Sequence, residues 1–172
     1  ADAWGKQLFL HFDELAIRIH LGIYGKWRFT AGETPEVTGQ VRARFQLPGM
    51  TADLRGPTAC EVVDKAGIKD VQARLGPDPL RPDRKGSERE RFIAKLTSRK
   101  TAVGQQLMDQ SVIAGIGNVY RAELLFRSSI NPHTPGNLLP LELAHQIWED
   151  SVRLMPIGVR TGLMLTREGH LK

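Results

Sequence analysis

The stretch Leu107-Met108-Asp109-Gln110-Ser111-Val112-Ile113-Ala114-Gly115-Ile116-Gly117-Asn118-Val119-Tyr120-Arg121-Ala122-Glu123 decides how this chain is read. Gly115 and Gly117 stand one residue apart between two helical patterns, so the backbone can turn tightly there and approach a ligand closely. A helix opening at Asn118 leaves its first amides without intrahelical acceptors and points the positive end of its dipole the same way. A phosphate fits such an end. The same residues admit a plainer reading, in which the turn only connects two helices and Asn118 is an N-cap.

Outward from this turn the period is helical. Ser87-Glu88-Arg89-Glu90 has the spacing of a capping box and precedes an apolar face of Phe92, Ile93 and Leu96. Val119, Ala122, Leu125 and Phe126 form the stripe of a helix from about Asn118 to Ser128. A third helix starts near Pro140, with Leu141, Ala144, Ile147, Trp148, Ser151, Val152 and Met155 on one side, and Pro156 and Gly158 are expected to end it. Before these helices lies a proline-rich passage, Gly76-Pro77-Asp78-Pro79 with Arg81-Pro82, suited to an interdomain linker.

Earlier still the period is two. Leu15, Ile17, Ile19 and Leu21 alternate with Ala16, Arg18 and His20, and Val41, Ala43, Phe45 and Leu47 alternate with Arg42, Arg44 and Gln46. Shorter runs at 8–12, 26–30 and 60–64, with turns at Asp13-Glu14, Gly32 and Pro48-Gly49, predict an antiparallel sandwich or barrel. The fold class is therefore α+β, divided into a β domain over 1–76, a linker over 77–84 and a helical domain over 85–172. Ala1-Asp2-Ala3-Trp4-Gly5-Lys6 carries no signal-peptide pattern and runs straight into a strand, so the expectation is a fragment whose β domain is incomplete at its start.

Composition narrows the function classes. Of 172 residues, 41% are hydrophobic and 25% charged, which excludes a disordered tail. The single cysteine, Cys60, excludes an intramolecular disulfide and a thiolate zinc finger within these residues. Five histidines, His11, His20, His133, His145 and His170, are too scattered for a zinc motif and read as surface or strand residues. The chain is cytoplasmic on this reading. Residues 81–100 hold eight basic and three acidic side chains, so their excess of five equals the net charge of the whole chain, +5. Such a belt suits a polyanion, although a solvated helix face looks similar.

Three further sets of residues are candidates. Lys6, after Gly5 at a hairpin tip, suits a backbone phosphate or is a solvated turn lysine. Ile23 and Tyr24, in His20-Leu21-Gly22-Ile23-Tyr24-Gly25-Lys26-Trp27, are bulky enough to wedge into a base stack or else pack inward. Arg55 either faces a nucleic-acid strand or is an exposed turn arginine.

The string Asp109-Gln110-Ser111-Val112-x-Ala114-Gly115-Ile116-Gly117-Asn118-x-Tyr120 resembles the helix-two-turn-helix of the formamidopyrimidine-DNA glycosylase and endonuclease VIII family. The resemblance extends to Leu75-Gly76-Pro77-Asp78-Pro79-Leu80, Ser98-Arg99-Lys100-Thr101-Ala102-Val103, Leu125-Phe126 and Ile130-Asn131-Pro132. It implies an antiparallel β-sandwich before the helical domain. It also implies a monomeric glycosylase and AP lyase, nucleoid-associated in bacteria, that flips an oxidised base out of duplex DNA, removes it through a Schiff base and cleaves the strand. Asn118, Gly115, Gly117, Lys6, Lys100 and Arg55 would then contact DNA, Ile23 and Tyr24 would form the wedge, and Arg160 and Thr161, in a loop region, would contact the everted base. The string around Ile23, near which the purine-directed branch usually has a methionine, and the lack of Arg-Arg-Phe-Gly near Arg55 make the chain resemble more the endonuclease VIII side, which acts on oxidised pyrimidines. The resemblance also implies a nucleophilic N-terminal proline with its glutamate, and a carboxy-terminal zinc finger, none of which these residues supply. The alternative functions are a non-catalytic module that recognises damaged or abasic DNA, and an RNA-binding protein, since helix-two-turn-helix elements also occur in ribosomal proteins.

Overall fold

A computed structural model describes residues 1–166 and 169. Seven strands come first: β1 (Asp2–Trp4), β2 (Gln7–Phe12), β3 (Leu15–His20), β4 (Lys26–Ala31), β5 (Ala43–Leu47), β6 (Met50–Arg55) and β7 (Ala59–Asp64). Helices follow: α1 (Lys65–Ala73), α2 (Ser87–Thr97), α3 (Val103–Gln106), α4 (Asn118–Arg127) and α5 (Leu141–Thr161), with a 3-10 turn at Gly136–Leu138. The fold is α+β, as the patterning predicts, and the chain separates into two compact units between Gln72 and Ala73.

The first unit holds two antiparallel sheets, ordered β1-β2-β3-β7 and β4-β6-β5. Leu8 pairs with Ile19 and Phe12 with Leu15, so the two-residue turn Asp13-Glu14 sets the register, with Asp13 at φ 49°. On one face of the first sheet Phe9 and Ala16 are buried against Val71 of α1, with Ile68 beside them. Several elements have no counterpart in the sequence reading, among them β6 and α1. β6 is the central strand of its sheet, and Thr51, Ala52, Asp53 and Leu54 are all buried, so alternation is absent. Asp53 is tolerated there because Arg44 donates to both its oxygens at 2.6 and 2.8 Å, and these bonds hold its carboxyl below the usual range against the opposing effect of desolvation. Helix α1 is short and its start is marked only by Asp64, whose Oδ1 accepts the Gly67 amide at 2.8 Å.

The second unit is built on α2, α4 and α5. Phe92 and Leu96 of α2, Leu124 of α4 and Ile147 and Leu154 of α5 are fully buried in one core, and the Phe92 and Trp148 rings lie 5.6 Å apart. Burying each such side chain contributes about 1.5–3 kcal/mol. The first residues of the proline-rich passage belong to this unit as well: 76–79 are buried, Gly76 donates its amide to Gln110 O at 2.8 Å, and Pro77 O accepts from Ala114 at 2.8 Å. A Cβ on Gly76 would lie 2.5 Å from the Val112 carbonyl carbon, so only glycine fits against the turn.

Three local expectations are corrected. Ser87 does not cap α2. It is the first helical residue, Gly86 at φ 71° precedes it, and the carboxylate of Asp83 accepts from the amides of Glu88 and Arg89 at 3.2 and 2.9 Å. Asp83 reaches two amides where a serine hydroxyl reaches one, and those bonds hold its carboxyl below the usual range. Pro156 does not end α5, which continues to Thr161 and stops at Gly162, φ 70°. Pro156 and the residue four before it, Val152, both face solvent, so water can satisfy the carbonyl that loses its donor. For the same reason Arg160 and Thr161 lie in the last turn of a helix rather than in a loop.

Arg127 joins α4 to α5. Its guanidinium donates to Asp150 at 2.9 and 3.3 Å and to the Thr166 carbonyl, while Arg153 reaches Asp150 at 2.8 Å. Burial alone would raise the Asp150 carboxyl, but the two arginines outweigh it and lower it. The stabilisation is then complete above the unfolded-state value of about 3.9 and is lost as pH falls through the lower folded value. Asp150→Asn is expected to lower Tm at neutral pH, with the gap to the parent narrowing below about pH 4, as thermal melts across pH will show. A gap independent of pH would mean that the ion pairs contribute nothing.

Candidate nucleic-acid interface

The turn between α3 and α4 is a dense set of hydrogen bonds. Asp109 Oδ1 accepts the Ser111 amide at 2.9 Å and Oδ2 accepts from Arg99 at 3.2 Å. Desolvation pushes the Asp109 carboxyl up, yet the bonds from Ser111 and Arg99 bring it below the usual range, so it stays an acceptor. Lys95 of α2 donates to Ser111 O at 2.6 Å. Gly115 sits at φ 89° and donates its amide to Gln110 Oε1 at 3.0 Å. Val112, Ile113, Ala114 and Ile116 are buried beneath the turn.

Gly117, extended at φ −117° and ψ −174°, is the residue before α4, and no side chain caps the helix. Asn118 is therefore not an N-cap. It is the first helical residue, it is exposed, and its Oδ1 accepts from the Arg121 guanidinium. With the oxygen engaged, the side-chain NH2 is left to donate outward beside the uncapped amides of the first turn. Arg121 was missed in the sequence reading; its signal was the i, i+3 spacing to Asn118. Tyr120 anchors this end of α4 by donating to Leu154 O at 3.3 Å, and burial raises its hydroxyl pKa. A Cβ on Gly158 would lie 2.2 Å from that hydroxyl, so glycine at 158 makes room for it.

Among the other candidates in this unit, Lys100 is exposed between α2 and α3. Arg160 is exposed at the end of α5, and Thr161 Oγ1 donates to Ile157 O at 2.8 Å while accepting from the Leu163 amide at 3.1 Å.

In the first unit, Lys6 is exposed in the turn between β1 and β2, after Gly5 at φ 54°, and partial burial lowers its ammonium pKa. The register of β2 on β3 brings it to the end of β3 that bears His20. From sequence His20 reads as a surface or strand residue. Burial first, then the charges of Arg18 and Lys6, lower its imidazole below the ordinary value, so it favours the neutral form. Ile23 and Tyr24 are 87% and 79% exposed and do not pack inward. Their turn is closed by the Gly25 amide donating to Leu21 O at 3.0 Å and by the Thr58 amide donating to the same oxygen at 3.3 Å. Arg55 is not a turn residue: it ends β6, donates to Thr38 O and lies 3.7 Å from Asp53.

Among the described residues no three His, Cys, Asp or Glu side chains come together to hold a metal ion, so these residues do not fit the zinc that the resemblance implies. His170 lies outside the described residues. No helix among them is long and apolar enough to cross a membrane.

Comparisons with known proteins bear on the same region. The sequence pattern described as the formamidopyrimidine-DNA glycosylase H2TH domain matches residues 75–168. Endonuclease 8 1 of Mycobacterium tuberculosis is 46% identical over 176 residues, covering 99% of this chain and 65% of that protein. Formamidopyrimidine-DNA glycosylase of Geotalea uraniireducens is 31% identical over 174 residues, covering 96% and 63%. The chain thus spans less than two thirds of the length of these relatives. The Lactococcus lactis formamido-pyrimidine DNA glycosylase, solved bound to DNA containing an AP site, superposes with a TM-score of 0.79 at 19% identity, covering 94% of this chain and 63% of that one.

Proposed function

The chain belongs to the formamidopyrimidine-DNA glycosylase and endonuclease VIII family, and from that we propose that it grips duplex DNA beside an oxidised base or an abasic site as part of a base-excision repair enzyme. The observation that carries the proposal is the start of α4, where uncapped amides, the Asn118 NH2 and the Arg121 guanidinium meet at one exposed point. These donors match a phosphate and position the strand without reading its bases. Lys100 adds charge to this grip, and in the first unit Lys6 and Arg55 are further candidates for DNA contacts, Arg55 toward the opposite strand. Arg160 and Thr161 contact the everted base from the end of α5.

Flipping a nucleotide leaves a gap in the stack, and the exposed side chains of Ile23 and Tyr24 fill it. In the intact enzyme the amine of an N-terminal proline attacks C1′ of the damaged nucleotide, the base departs, and the resulting Schiff base allows elimination of the 3′ phosphate. Oxidised pyrimidines are the preferred bases, supported by the higher identity to Endonuclease 8 1 than to formamidopyrimidine-DNA glycosylase and by the sequence Arg55-Gly56-Pro57-Thr58 in place of Arg-Arg-Phe-Gly.

Asn118→Ala is expected to weaken binding to damaged and undamaged duplexes alike by about 1–3 kcal/mol, with circular dichroism unchanged. Fluorescence anisotropy over a salt series measures it, and unchanged affinity removes Asn118 from the site. Replacing Ile23 and Tyr24 together with glycine is expected to impair eversion of a fluorescent base more than initial binding, and equal eversion signals for variant and parent would dismiss the wedge.

The third test concerns the nucleophile. Residues 1–172 are expected to yield no borohydride-trapped adduct with a duplex carrying an oxidised pyrimidine, whereas the intact enzyme traps. Efficient trapping by residues 1–172, abolished by Lys6→Ala, would reassign the nucleophile to Lys6.

A further inference from the structure

Gln110 makes more bonds within the turn than any packing role requires. Its Oε1 accepts the Gly115 amide at 3.0 Å, and its Nε2 donates to Met108 O at 3.1 Å and to Ile116 O at 3.0 Å. Its own carbonyl accepts the Gly76 amide at 2.8 Å. The bond to Ile116 O has a directional consequence. A trans peptide is planar, so its C=O and N–H point opposite ways, and the plane that carries the Ile116 carbonyl also carries the Gly117 amide. Pulling the Ile116 oxygen toward Gln110 turns the Gly117 N–H away from the turn, to the side on which α4 opens.

This plane lies between Ile116 and Gly117, so it turns on ψ of Ile116 and φ of Gly117, and glycine leaves the second of these nearly unrestrained by side-chain sterics. Some other group has to fix it, and Gln110 bonds the residue on either side of the Gly115–Ile116 peptide link: the amide of Gly115 and the carbonyl of Ile116. Resting on the phosphate site proposed above, we infer that Gln110 is a positioning residue for DNA binding, which aims the Gly117 amide at the phosphate by holding the Ile116 carbonyl. Gln110 itself touches no phosphate. Its role requires a donor at Nε2 and an acceptor at Oε1 together, which a glutamine or a protonated glutamic acid supplies and a carboxylate does not.

The test exploits that difference. Gln110→Glu keeps the shape of the side chain, but its ionised form faces the Ile116 oxygen with a second acceptor. Burial and that carbonyl raise the pKa of the new carboxyl above the reference of about 4.3, so lowering the pH restores a donor. Affinity for a short duplex containing a tetrahydrofuran abasic analogue is measured by anisotropy between about pH 8 and pH 5.5, for the 172-residue chain, Gln110→Glu, Gln110→Met and Asn118→Ala. Asp109, Arg99 and Lys95, the charged groups nearest the turn, are present in every variant, so the ratio of variant to parent isolates residue 110.

Gln110→Glu is expected to bind about tenfold more weakly than the parent at pH 8, the factor equivalent to one well-made hydrogen bond, and to approach the parent at the acid end. Gln110→Met is expected to remain weak at both. A purely structural role would lower Tm without a pH-reversible loss of affinity in folded protein. Should Gln110→Glu unfold at pH 8, the comparison at pH 5.5 still decides, since it must then bind as the parent does while Gln110→Met does not. Parent-like binding by folded Gln110→Glu at pH 8, or equal weakness of both variants at pH 5.5, overturns the inference. If Asn118→Ala weakens binding while the Gln110 variants do not, the phosphate site stands and only the role of Gln110 fails; if Asn118→Ala has no effect, the site itself fails.

Discussion

A tight turn between helices concentrates backbone amides and carbonyls that cannot bond one another, and burial makes each unmet group costly. The turn from Leu107 to Gly117 meets that demand with side chains and with chain from elsewhere: Asp109 takes the Ser111 amide, Gln110 takes the Gly115 amide and donates to two carbonyls, and Pro77 takes the Ala114 amide. What remains unsatisfied is the start of α4, which faces outward. The second unit is organised around keeping that end rigid and open. Helix α5 supports it through Gly158 and the Leu154 carbonyl that Tyr120 bonds, α2 through Lys95, and the segment after α2 through Arg99.

In the proposed reading, phosphate contacts made by fixed amides would hold a duplex in register without distinguishing sequence. The exposed Ile23-Tyr24 turn belongs to the first unit. That turn is made stiff by backbone bonds to Leu21 and by Gly22 at φ 66°, where a Cβ would collide with the Thr58 side chain. Bulky side chains on a braced turn would lose little entropy in any contact they make, whereas the same residues on a loose loop would have to be ordered first.

Much of the fold was legible because its signals are local. The strand at 7–12 alternates at its start since one face is covered and the other is not, and most of the α5 stripe lies in the core. Of the α4 stripe, by contrast, only Leu125 is buried while Val119, Ala122 and Phe126 are exposed, and at 15–20 Ala16 is buried with Ile19 while Leu15 is exposed. The open start of α4 is legible because its signals are local too: two glycines and a helix start are neighbours in sequence. Elements whose cues lie in their partners were not legible. β6 is buried on both faces and so shows no period, and the α2 cap comes from Asp83, four residues before the helix begins, rather than from the Ser87 that matches the expected motif.

The sequence by itself determined the α+β class, the family resemblance, the positions of the hairpin turn and the bulky Ile23-Tyr24 turn, and the basic character of the chain. Only the tertiary structure decided which polar atoms are left over. Sequence offers Asn118 both as a cap and as a phosphate contact, and the structure shows that it is no cap and that Arg121 occupies its oxygen, while His20 meets Lys6 only through the register of β2 on β3. Continuation of α5 through Pro156 likewise depended on solvent reaching the carbonyl side of Val152. In each case the deciding quantity is whether a donor or acceptor already has a partner. Residue types and spacing cannot express that, because the partner is supplied by a segment distant in the chain or by water.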